Sequence, residues 1–483
     1  MIKTYFIFIF FGLVAISSSL AQSTSVNNSE NFFGIDRQNQ IIVCHQSLID
    51  SLVSNKKEWN TLLLGNTEFS FVNPAAKLVS TDPYLVVNTT DTFQLFVTPL
   101  PILKINAKDS IVNEPKINAR LAYADSITQF SADIAIELRG NSALKYPKKS
   151  YDLELRKDSL TSVSIAFSMG GLREDDDWIL NSLYNEPLKL RSYFATKLWL
   201  DVRSSNALDE KANGKSSNDL VYAEVFLNGS YEGLYLLSEQ VDRKQLQLKK
   251  IQGDTVHGEL FKANSYANAS TFKSAPSFNN ALPHWAGFEM KYPYENFEAH
   301  WENVYKFIAL ASADDDEKFT AKIEKQLDLD NAIDYFLFIN LLRATDNLGK
   351  NYYLARESQK TPYYFVPWDL DGIMGYIQDA KRIETTGDVL SNPLFDRLLA
   401  TNPANYRSRL KARWEELRTG VYSDEALFGR LNEVYSFLQN QKIYERDQLR
   451  WPGVSDSEAE LAYLKNWLEK RLRFLDRLCA GFD

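Results

Sequence analysis

The hydrophobic pattern of the chain changes its period along its length, and this change limits the folds that the sequence can adopt. From Pro101 to about Leu180, apolar and polar residues alternate in runs such as "ADIAIELRG" and "SYDLELRK", as they do in half-buried strands. Beyond about Gly258 the spacing becomes helical, as in "DNAIDYFLFINLLRAT" with Asp330 as its cap, although one hairpin stays inside this half. Strands first and helices later predict an α+β protein with two lobes and a cleft between them.

Two segments precede this pattern. Residues 1–21 combine Lys3, the apolar run "YFIFIFFGLVAI" and a small-residue site that ends at Ala21, and together these predict a cleaved secretory signal. Residues 22–100 contain short alternating runs such as "QIIVC" and predict a small β-rich segment. We therefore expect a secreted, periplasmic or cell-surface protein whose main domain covers residues 101–483 and divides near residue 242 into a strand-rich and a helical lobe. An uncleaved N-terminal anchor is the alternative.

Composition excludes several kinds of chemistry. No stretch after the first apolar run approaches the roughly 20 apolar residues that a membrane-spanning helix needs, so no such helix is expected in the mature chain. The net charge of −9 argues against non-specific nucleic-acid binding, which requires cations that neutralise phosphates. Four histidines and two cysteines, Cys44 and Cys479, argue against a zinc site, and hard-cation chemistry through carboxylates remains. The two cysteines either pair or stay as buried thiols.

Polar side chains cluster at the ends of the predicted hairpin in "RATDNLGKNYYLARESQKTPYYFVPWDLDGIMG", residues 343–375. Asp346 and Asn351 precede its first strand, and Asp369 and Asp371 follow its second. A tight hairpin returns Asp369 to the end where Asp346 lies. Carboxylates that close an apolar strand need a positive partner, and because "YYFVPWDLD" contains no Arg or Lys, we expect Mg²⁺ or Mn²⁺ there. Asp and Asn as simple turn formers are the alternative.

A lysine on the strand-rich side would complete such a site. In "KYPKKSYDLELRK", Lys149 shares the apolar strand face with Tyr151 and Leu153, and Lys148 lies on the other face, because side chains alternate along a strand. A lysine on an apolar face either extends its ammonium to solvent or carries a cation into a closed pocket. The sequence leaves both interpretations open.

Three further patterns predict local structure between these regions. The run "LYNEPLKLRSYFATKLWLD" predicts a helix capped at Asn185. The dipeptide Asn228-Gly229 between apolar runs predicts a two-residue hairpin turn. A Ser-, Asn- and Ala-rich stretch that begins at Lys262, "KANSYANASTFKSAPSFNNALPHW", predicts a loop region.

The polar side chains match the parts of a phosphoryl-transfer site. In protein kinases a catalytic-loop Asp accepts the substrate hydroxyl proton, a later Asn and Asp hold metal ions, and a strand Lys from the other lobe holds nucleotide phosphates. Asp346 and Asn351 are five residues apart, Asp369 follows the hairpin, and Lys149 comes from the strand-rich half. The usual local motifs are absent, because no His-Arg precedes Asp346, no Asp-Phe-Gly follows it and no Gly-x-Gly-x-x-Gly precedes Lys149.

Four ordered blocks resemble the spore-coat-H (CotH) family of atypical, secreted protein kinases. They are "ELRGNSALKYPKKSYDLEL" at 137–155, "GLREDDDWILNSLYNEPLKLRSYFATKLW" at 171–199, "YAEVFLNGSYEGLYLLSEQVD" at 222–242, and "DNLGKNYYL" followed by "VPWDLDGIMG", and together they cover roughly residues 101–400. The resemblance implies a two-lobed kinase-like fold with a β-rich N-lobe and a helical C-lobe. It also implies transfer of the γ-phosphoryl group of ATP to Ser or Thr of a secreted or surface protein, with Mg²⁺ or Mn²⁺.

The resemblance further implies roles for individual residues. Asp346 is implied as the catalytic residue, Asn351 and Asp369 as metal ligands, and Asp371 as a second ligand or a capping residue. Lys149 is implied to bind the ATP phosphates, with Lys148 as the alternative. Arg139, Asn141 and Ser142 are implied to contact the nucleotide from the loop that takes the place of the kinase glycine-rich loop. Glu239 is implied either to contact the nucleotide or to brace the hinge. Family members often carry His before the Asn, where this chain has Lys350, so the fine geometry of this loop is expected to differ.

Two other functions compete with this one. A non-catalytic, kinase-like surface protein used for binding or assembly would be free to lose four residues, and all of them are present: Asp346, Asn351, Asp369 and Lys149. A metal-dependent transferase or hydrolase that acts on another phosphate ester or on glycans is the second alternative, since Trp368 near the cleft would offer a stacking surface for a sugar. Aromatic residues in β-rich proteins more often form the core.

Overall fold

A computed structural model of the protein describes residues 29–53, 58–161, 163–204, 216–253, 255–294, 298–377, 379–452 and 458–482. The predicted secretory signal, residues 1–21, lies outside these ranges. Strands and helices are combined as the change of period predicts, and the α+β class is confirmed. Within the described ranges, no helix has both the length and the apolar character needed to cross a membrane.

The strands nearest the N-terminus form one sheet. They are β1 (Phe33–Asp36), β2 (Ile41–His45), β3 (Trp59–Leu64), β4 (Thr67–Ala75), β5 (Tyr84–Val87) and β6 (Thr92–Thr98). The order is β1-β2-β6-β5-β4-β3, with β2 and β6 parallel. Helix α1 (Gln46–Leu52) contributes to the core of this sheet, where Cys44 is buried. Because Cys479 is buried in the core of the helical half, both cysteines are free thiols.

The next seven strands close into a barrel. They are β7 (Ile102–Ala107), β8 (Ile117–Ala124), β9 (Gln129–Arg139), β10 (Ser150–Arg156), β11 (Asp177–Asn181), β12 (Leu220–Leu227) and β13 (Ser230–Glu239). The barrel order is β10-β11-β13-β12-β7-β8-β9. Tyr151, Leu153 and Leu155 of β10 are buried in its interior, as strand alternation predicts. Asn228 and Gly229, with φ of 50° and 81°, connect β12 to β13, and the predicted hairpin turn is confirmed.

A second sheet lies within the helical half. It contains β14 (Glu259–Ala263), β15 (His284–Trp285), β16 (Phe288–Tyr292), β17 (Tyr352–Arg356) and β18 (Tyr364–Pro367). The order is β15-β16-β14-β17-β18, so the predicted hairpin of β17 and β18 is extended by β14. Lys262 lies in β14 opposite Tyr353 of β17. The loop predicted from Lys262 onward therefore begins later, because a strand partner far along the chain orders residues whose composition is typical of a loop.

Of the described helices after α1, the first precedes the second sheet, the next three lie between its strands in the chain, and the others follow it. They are α2 (Arg191–Ser204), α3 (Glu302–Ser312), α4 (Asp316–Lys322), α5 (Leu329–Leu342), α6 (Pro393–Thr401), α7 (Tyr406–Thr419), α8 (Asp424–Asn440), α9 (Ile443–Arg450) and α10 (Glu458–Ala480). Helix α5 is buried along nearly its whole length and leads directly into the loop that carries Asp346. The predicted cap at Asp330 is wrong: Asp328 accepts the hydrogen bond from the Asn331 amide, because the helix begins at Leu329 and places Asp330 in its first turn.

Candidate active site

A cavity of about 600 Å³ lies where barrel strands β9, β10 and β11 face β14 and the β17–β18 hairpin. Its lining brings together most of the site residues named from the sequence: Arg139, Asn141, Ser142, Asp346, Asn351, Asp369 and Asp371. The barrel contributes the first three, and the loops around the hairpin contribute the other four. The structure therefore gathers side chains from two distant parts of the sequence around one cavity.

The hairpin holds Asn351 and Asp369 at the same end. Tyr352 pairs with Pro367, and directly beyond this pair the Trp368 amide donates to the Asn351 carbonyl at 3.0 Å. Asn351 and Asp369 both have positive φ, 57° and 56°. Asn and Asp tolerate this left-handed conformation better than most residues with a Cβ atom. The backbone conformation at both ends of the hairpin therefore suits the Asn and the Asp that line the cavity there.

Asn347 fixes this end of the hairpin and was not identified from the sequence. Its side-chain amide donates to the carbonyl of Asn351 at 2.5 Å and to that of Trp368 at 3.0 Å. The backbone carbonyl of Asn347 accepts from the Tyr335 hydroxyl at 2.7 Å, and the residue is buried. A single buried residue therefore connects helix α5 to the residues that flank both strands of the hairpin. Its position inside "TDNLGKN" was the available signal, although a turn-forming role accounts equally well for an Asn there.

Asp371 is a half-buried carboxyl group in the cavity lining. Burial first, and then the negative charge of Asp369, raise the pKa of Asp371 above its usual range. The Asn185 side chain donates to the Asp371 carboxylate at 2.6 Å, and the Arg191 guanidinium donates to its backbone carbonyl at 3.0 Å. Asn185 was predicted as a helix cap, but helix α2 begins at Arg191, and the amide of Arg191 is held by the Glu186 carboxylate instead.

The donor set at this end fits a hard cation. Asn351, Asp369 and Asp371 present one amide and two carboxylates to the same cavity, and oxygen ligands of this kind suit Mg²⁺ or Mn²⁺. Mutual repulsion of two carboxylates is what a divalent cation relieves. Among the described residues, no group of three or more His, Cys, Asp or Glu side chains is arranged to hold a metal ion. A cation here would therefore depend on the Asn351 amide and on oxygens of a bound ligand.

Two cations in the cavity lining lie close to one indole ring. The Arg139 guanidinium lies 5.6 Å and the Lys262 ammonium 5.9 Å from the centroid of the Trp368 ring. Burial, with Arg139 and Lys291 nearby, lowers the pKa of Lys262 to about 8, against the opposing charges of Glu289 and Asp369. Lys262 was not identified from the sequence, because its strand was predicted as a loop.

The two lysines named from the sequence lie away from the cavity lining. The Lys149 ammonium donates to the Leu144 carbonyl at 2.7 Å, and the fully buried Lys148 ammonium donates to the Leu234 carbonyl at 2.7 Å. Placement of Lys149 on the apolar strand face is wrong, because β10 begins only at Ser150. The residues before it form a short 3-10 helix, Ser142–Lys145, and a bend, so strand parity does not extend back to either lysine.

Glu239 also lies outside the cavity lining. It is fully buried at the end of β13, and its carboxylate accepts from the amides of Arg173 and Asp219 at 2.9 and 2.8 Å. The Gln245 side chain donates to it at 2.9 Å. These contacts join three chain segments where the barrel ends.

Comparison with known families gives the site its context. The sequence model of the family described as CotH kinase protein matches residues 136–475. The chain belongs to the CotH kinase protein family. The matched residues include the whole of the cavity described above except for Asn113 and Glu114. The N-terminal sheet, β1 to β6, lies outside the CotH match.

Two individual proteins show similarity to this CotH-family chain. Inner spore coat protein H of Bacillus subtilis (strain 168) is 23% identical over 380 residues, which are 77% of this chain and 94% of that protein. A solved complex of the Shewanella oneidensis MR-1 toxin–antitoxin system HipA, HipB and its operator DNA matches with 16% identity and a TM-score of 0.26. That match covers 68% of this chain and 63% of the other.

Proposed function

We propose that this CotH-family protein is a protein kinase that transfers the γ-phosphoryl group of ATP to Ser or Thr hydroxyls of a secreted or surface protein, with Mg²⁺ or Mn²⁺. The observation that carries this proposal is the common cavity, where Asp346, Asn351 and Asp369 meet Arg139 and Lys262. A general base, oxygen ligands for a cation, and positive charge for phosphates are what phosphoryl transfer requires of a protein. Family membership supports the same reaction class.

In this proposal the barrel acts as the N-lobe and the helical half with its sheet acts as the C-lobe. The nucleotide lies between them in the cavity, because residues of both parts form its lining. The signal-like pattern of residues 1–21 and similarity to a spore coat protein support a secreted or surface location. A secreted or surface protein is then the acceptor, and no nucleic acid is expected as a partner.

Arg139 and Lys262 are the proposed phosphate-holding cations. Both lie beside Trp368, whose indole provides a flat surface for a nucleotide base. The loop after β9 lies along the same cavity, and Gly140 at φ +97° lets it turn there. A Cβ atom on Gly140 would lie 2.9 Å from the Cβ of Ala143, so the loop keeps this shape only with glycine. Asn141 and Ser142 follow as exposed polar residues at the cavity.

Asp346 is the proposed general base. As the acceptor hydroxyl oxygen forms its bond to the γ-phosphorus, the hydroxyl proton passes to the Asp346 carboxylate. The bond from the γ-phosphorus to the bridging oxygen breaks, and its electron pair leaves with ADP. Asn351, Asp369 and Asp371 would hold the divalent cation, which when bound offsets the negative charge of the phosphates.

A comparison of ATP binding by two lysine variants tests this proposal. We expect purified protein with Mn²⁺ to bind ATP, and Lys262→Met to weaken binding much more than Lys149→Met, since only Lys262 lines the cavity. Asp369→Asn should remove the metal dependence of binding. Label from γ-labelled ATP should appear on the protein or on added secreted proteins with wild type.

Several outcomes would contradict the proposal. Absence of ATP binding in every form would favour the non-catalytic binding or assembly protein. Loss of binding in Lys149→Met with normal binding in Lys262→Met would reject the assignment of the phosphate-holding cation. ATP hydrolysis without transfer to any protein would favour a hydrolase.

A further inference from the structure

Lys350 follows the proposed base Asp346 by four residues and directly precedes the proposed metal ligand Asn351. It lines the cavity together with Asp346 and Asn351. Its ammonium is 2.8 Å from Oδ2 of Asp346, and 32% of the lysine side chain and 17% of the aspartate side chain are exposed. The pair is therefore open to the cavity rather than sealed within the core, and a ligand can approach both groups.

An aromatic ring supports the Lys350 side chain. The ammonium lies 5.9 Å from the centroid of the Tyr266 ring, and the Tyr266 hydroxyl donates to the carbonyl of Thr345 at 2.7 Å. A Cβ atom on Gly349 would lie 2.5 Å from the Tyr266 ring and 2.7 Å from Thr271. The loop is thus packed tightly against its neighbours. The Lys350 ammonium therefore lies close to both the Tyr266 ring and the Asp346 carboxylate.

The position of Lys350 differs from that of the other cations in the cavity. Among the described residues of the lining, Arg139 and Lys262 both lie by the Trp368 ring, and Lys350 is the cation paired with Asp346. During transfer, a negative phosphoryl group must come close to the negative Asp346 carboxylate. Two anions repel each other unless a cation lies with them, and preorganised positive charge at such a point is a strong source of rate acceleration.

We propose that Lys350 is a catalytic residue that contacts the transferred phosphoryl group. The inference rests on the proposed kinase function and adds a second charged residue to it. The Lys350 ammonium binds a non-bridging oxygen of the γ-phosphoryl while the acceptor hydroxyl proton goes to Asp346, with Oδ1 as the oxygen that takes it. The ammonium then offsets the charge of two anions at once, and it does so more in the transition state than in the bound ground state.

Steady-state kinetics of three substitutions test this role. The full-length protein is assayed with Mn²⁺ and γ-labelled ATP, and dephosphorylated casein serves as the acceptor probe. Lys350→Met should lower kcat by about 100-fold and leave the KM for ATP nearly unchanged, whereas Lys350→Arg, which keeps the charge, should recover most of the lost kcat. Lys318→Met, at an exposed position of α4, is the matched control and should behave as wild type.

The outcomes separate this inference from the proposed function. An active wild type with normal kcat in Lys350→Met would overturn the role of Lys350 and leave the kinase proposal intact. A raised KM for ATP with equal losses in Lys350→Met and Lys350→Arg would show that the residue only supports the loop, and would also overturn it. Inactive wild type would overturn both. If thermal unfolding shows that Lys350→Met does not fold, Lys350→Gln takes its place with the same expected loss of kcat.

Discussion

Two lysine–aspartate pairs in this molecule have nearly the same geometry and opposite surroundings. Lys148 and Asp447 are 3.0 Å apart with side chains 0% and 3% exposed, whereas Lys350 and Asp346 are 2.8 Å apart with side chains 32% and 17% exposed. The first pair joins α9 to the barrel, and the second lines the cavity. The distance between ammonium and carboxylate does not distinguish a structural ion pair from a functional one. The exposure of the two side chains does, because only an exposed pair can contact a ligand.

The buried pair is held on every side. Asp447 also accepts from the Leu234 amide at 3.0 Å and lies 3.4 Å from the Lys189 ammonium. A Cβ atom on Gly233 would lie 2.1 Å from the Asp447 carboxylate, so only glycine lets α9 approach this closely. Such a pair cannot exchange partners with a ligand. The cavity pair has an open side, and a bound anion can share its lysine.

Removal of the buried carboxylate should have the largest effect on stability. Asp447→Ala leaves Lys148 and Lys189 as uncompensated charges in the core, and we expect a loss of about 3–5 kcal/mol in the free energy of unfolding. Urea denaturation followed by tryptophan fluorescence measures this. Asp346→Ala is the matched change at the cavity pair and should alter the free energy of unfolding far less. Equal losses in the two variants would contradict the distinction between the pairs.

Acid should remove the stabilisation that the buried pair gives to the fold. The charges of Lys148 and Lys189 hold the pKa of Asp447 at about 2, below its ordinary 3.8, against the effect of burial. Because the unfolded chain binds its proton at higher pH, this carboxylate stabilises the fold fully above about pH 4 and loses that contribution as the pH falls toward 2. The loss should amount to about 2 kcal/mol. Denaturation between pH 5 and 3 should show a steeper fall in wild type than in Asp447→Asn, and parallel curves would contradict this.

The smallest loss of stability is expected at Tyr266, whose ring lies beside Lys350 of the cavity pair. Tyr266→Phe removes the hydrogen bond to Thr345 and keeps the ring beside Lys350, so the free energy of unfolding should fall by about 1 kcal/mol. Thermal or urea unfolding measures this change. Tyr266→Ala, which also removes the ring, should lower the proposed transfer activity further. Activity that is equally low in both variants would show that the hydroxyl, not the ring, maintains the pair.

The sequence predicts those parts of the fold and the site that depend on patterns of a few neighbouring residues. Alternation in β10, the Asn228-Gly229 turn and the hairpin of β17 and β18 follow local rules, and the hairpin by itself explains why Asp369 returns to the end that carries Asn351. Periodicity and turn chemistry act over a few residues, so a single sequence is enough to predict them. The family follows from the same blocks.

The errors occurred where a distant partner decides the structure. Lys262 was assigned to a loop because its strand, β14, is ordered by β17 much later in the chain. Lys149 was placed by strand parity, but the strand begins one residue too late for parity to apply to it. Asn185 was assigned as a helix cap and instead donates to Asp371. In each case tertiary contacts, which the local sequence does not encode, decide where the side chain lies.

The central claim is that Asp346 serves as the base of a phosphoryl-transfer site, and single-turnover transfer tests it most directly. Protein in excess over γ-labelled ATP with Mn²⁺ is followed for label on the acceptor, and Asp346→Asn is compared with wild type. We predict a rate lower by about 100- to 10,000-fold, with ATP binding and the free energy of unfolding unchanged. Transfer by Asp346→Asn at the wild-type rate would contradict the claim.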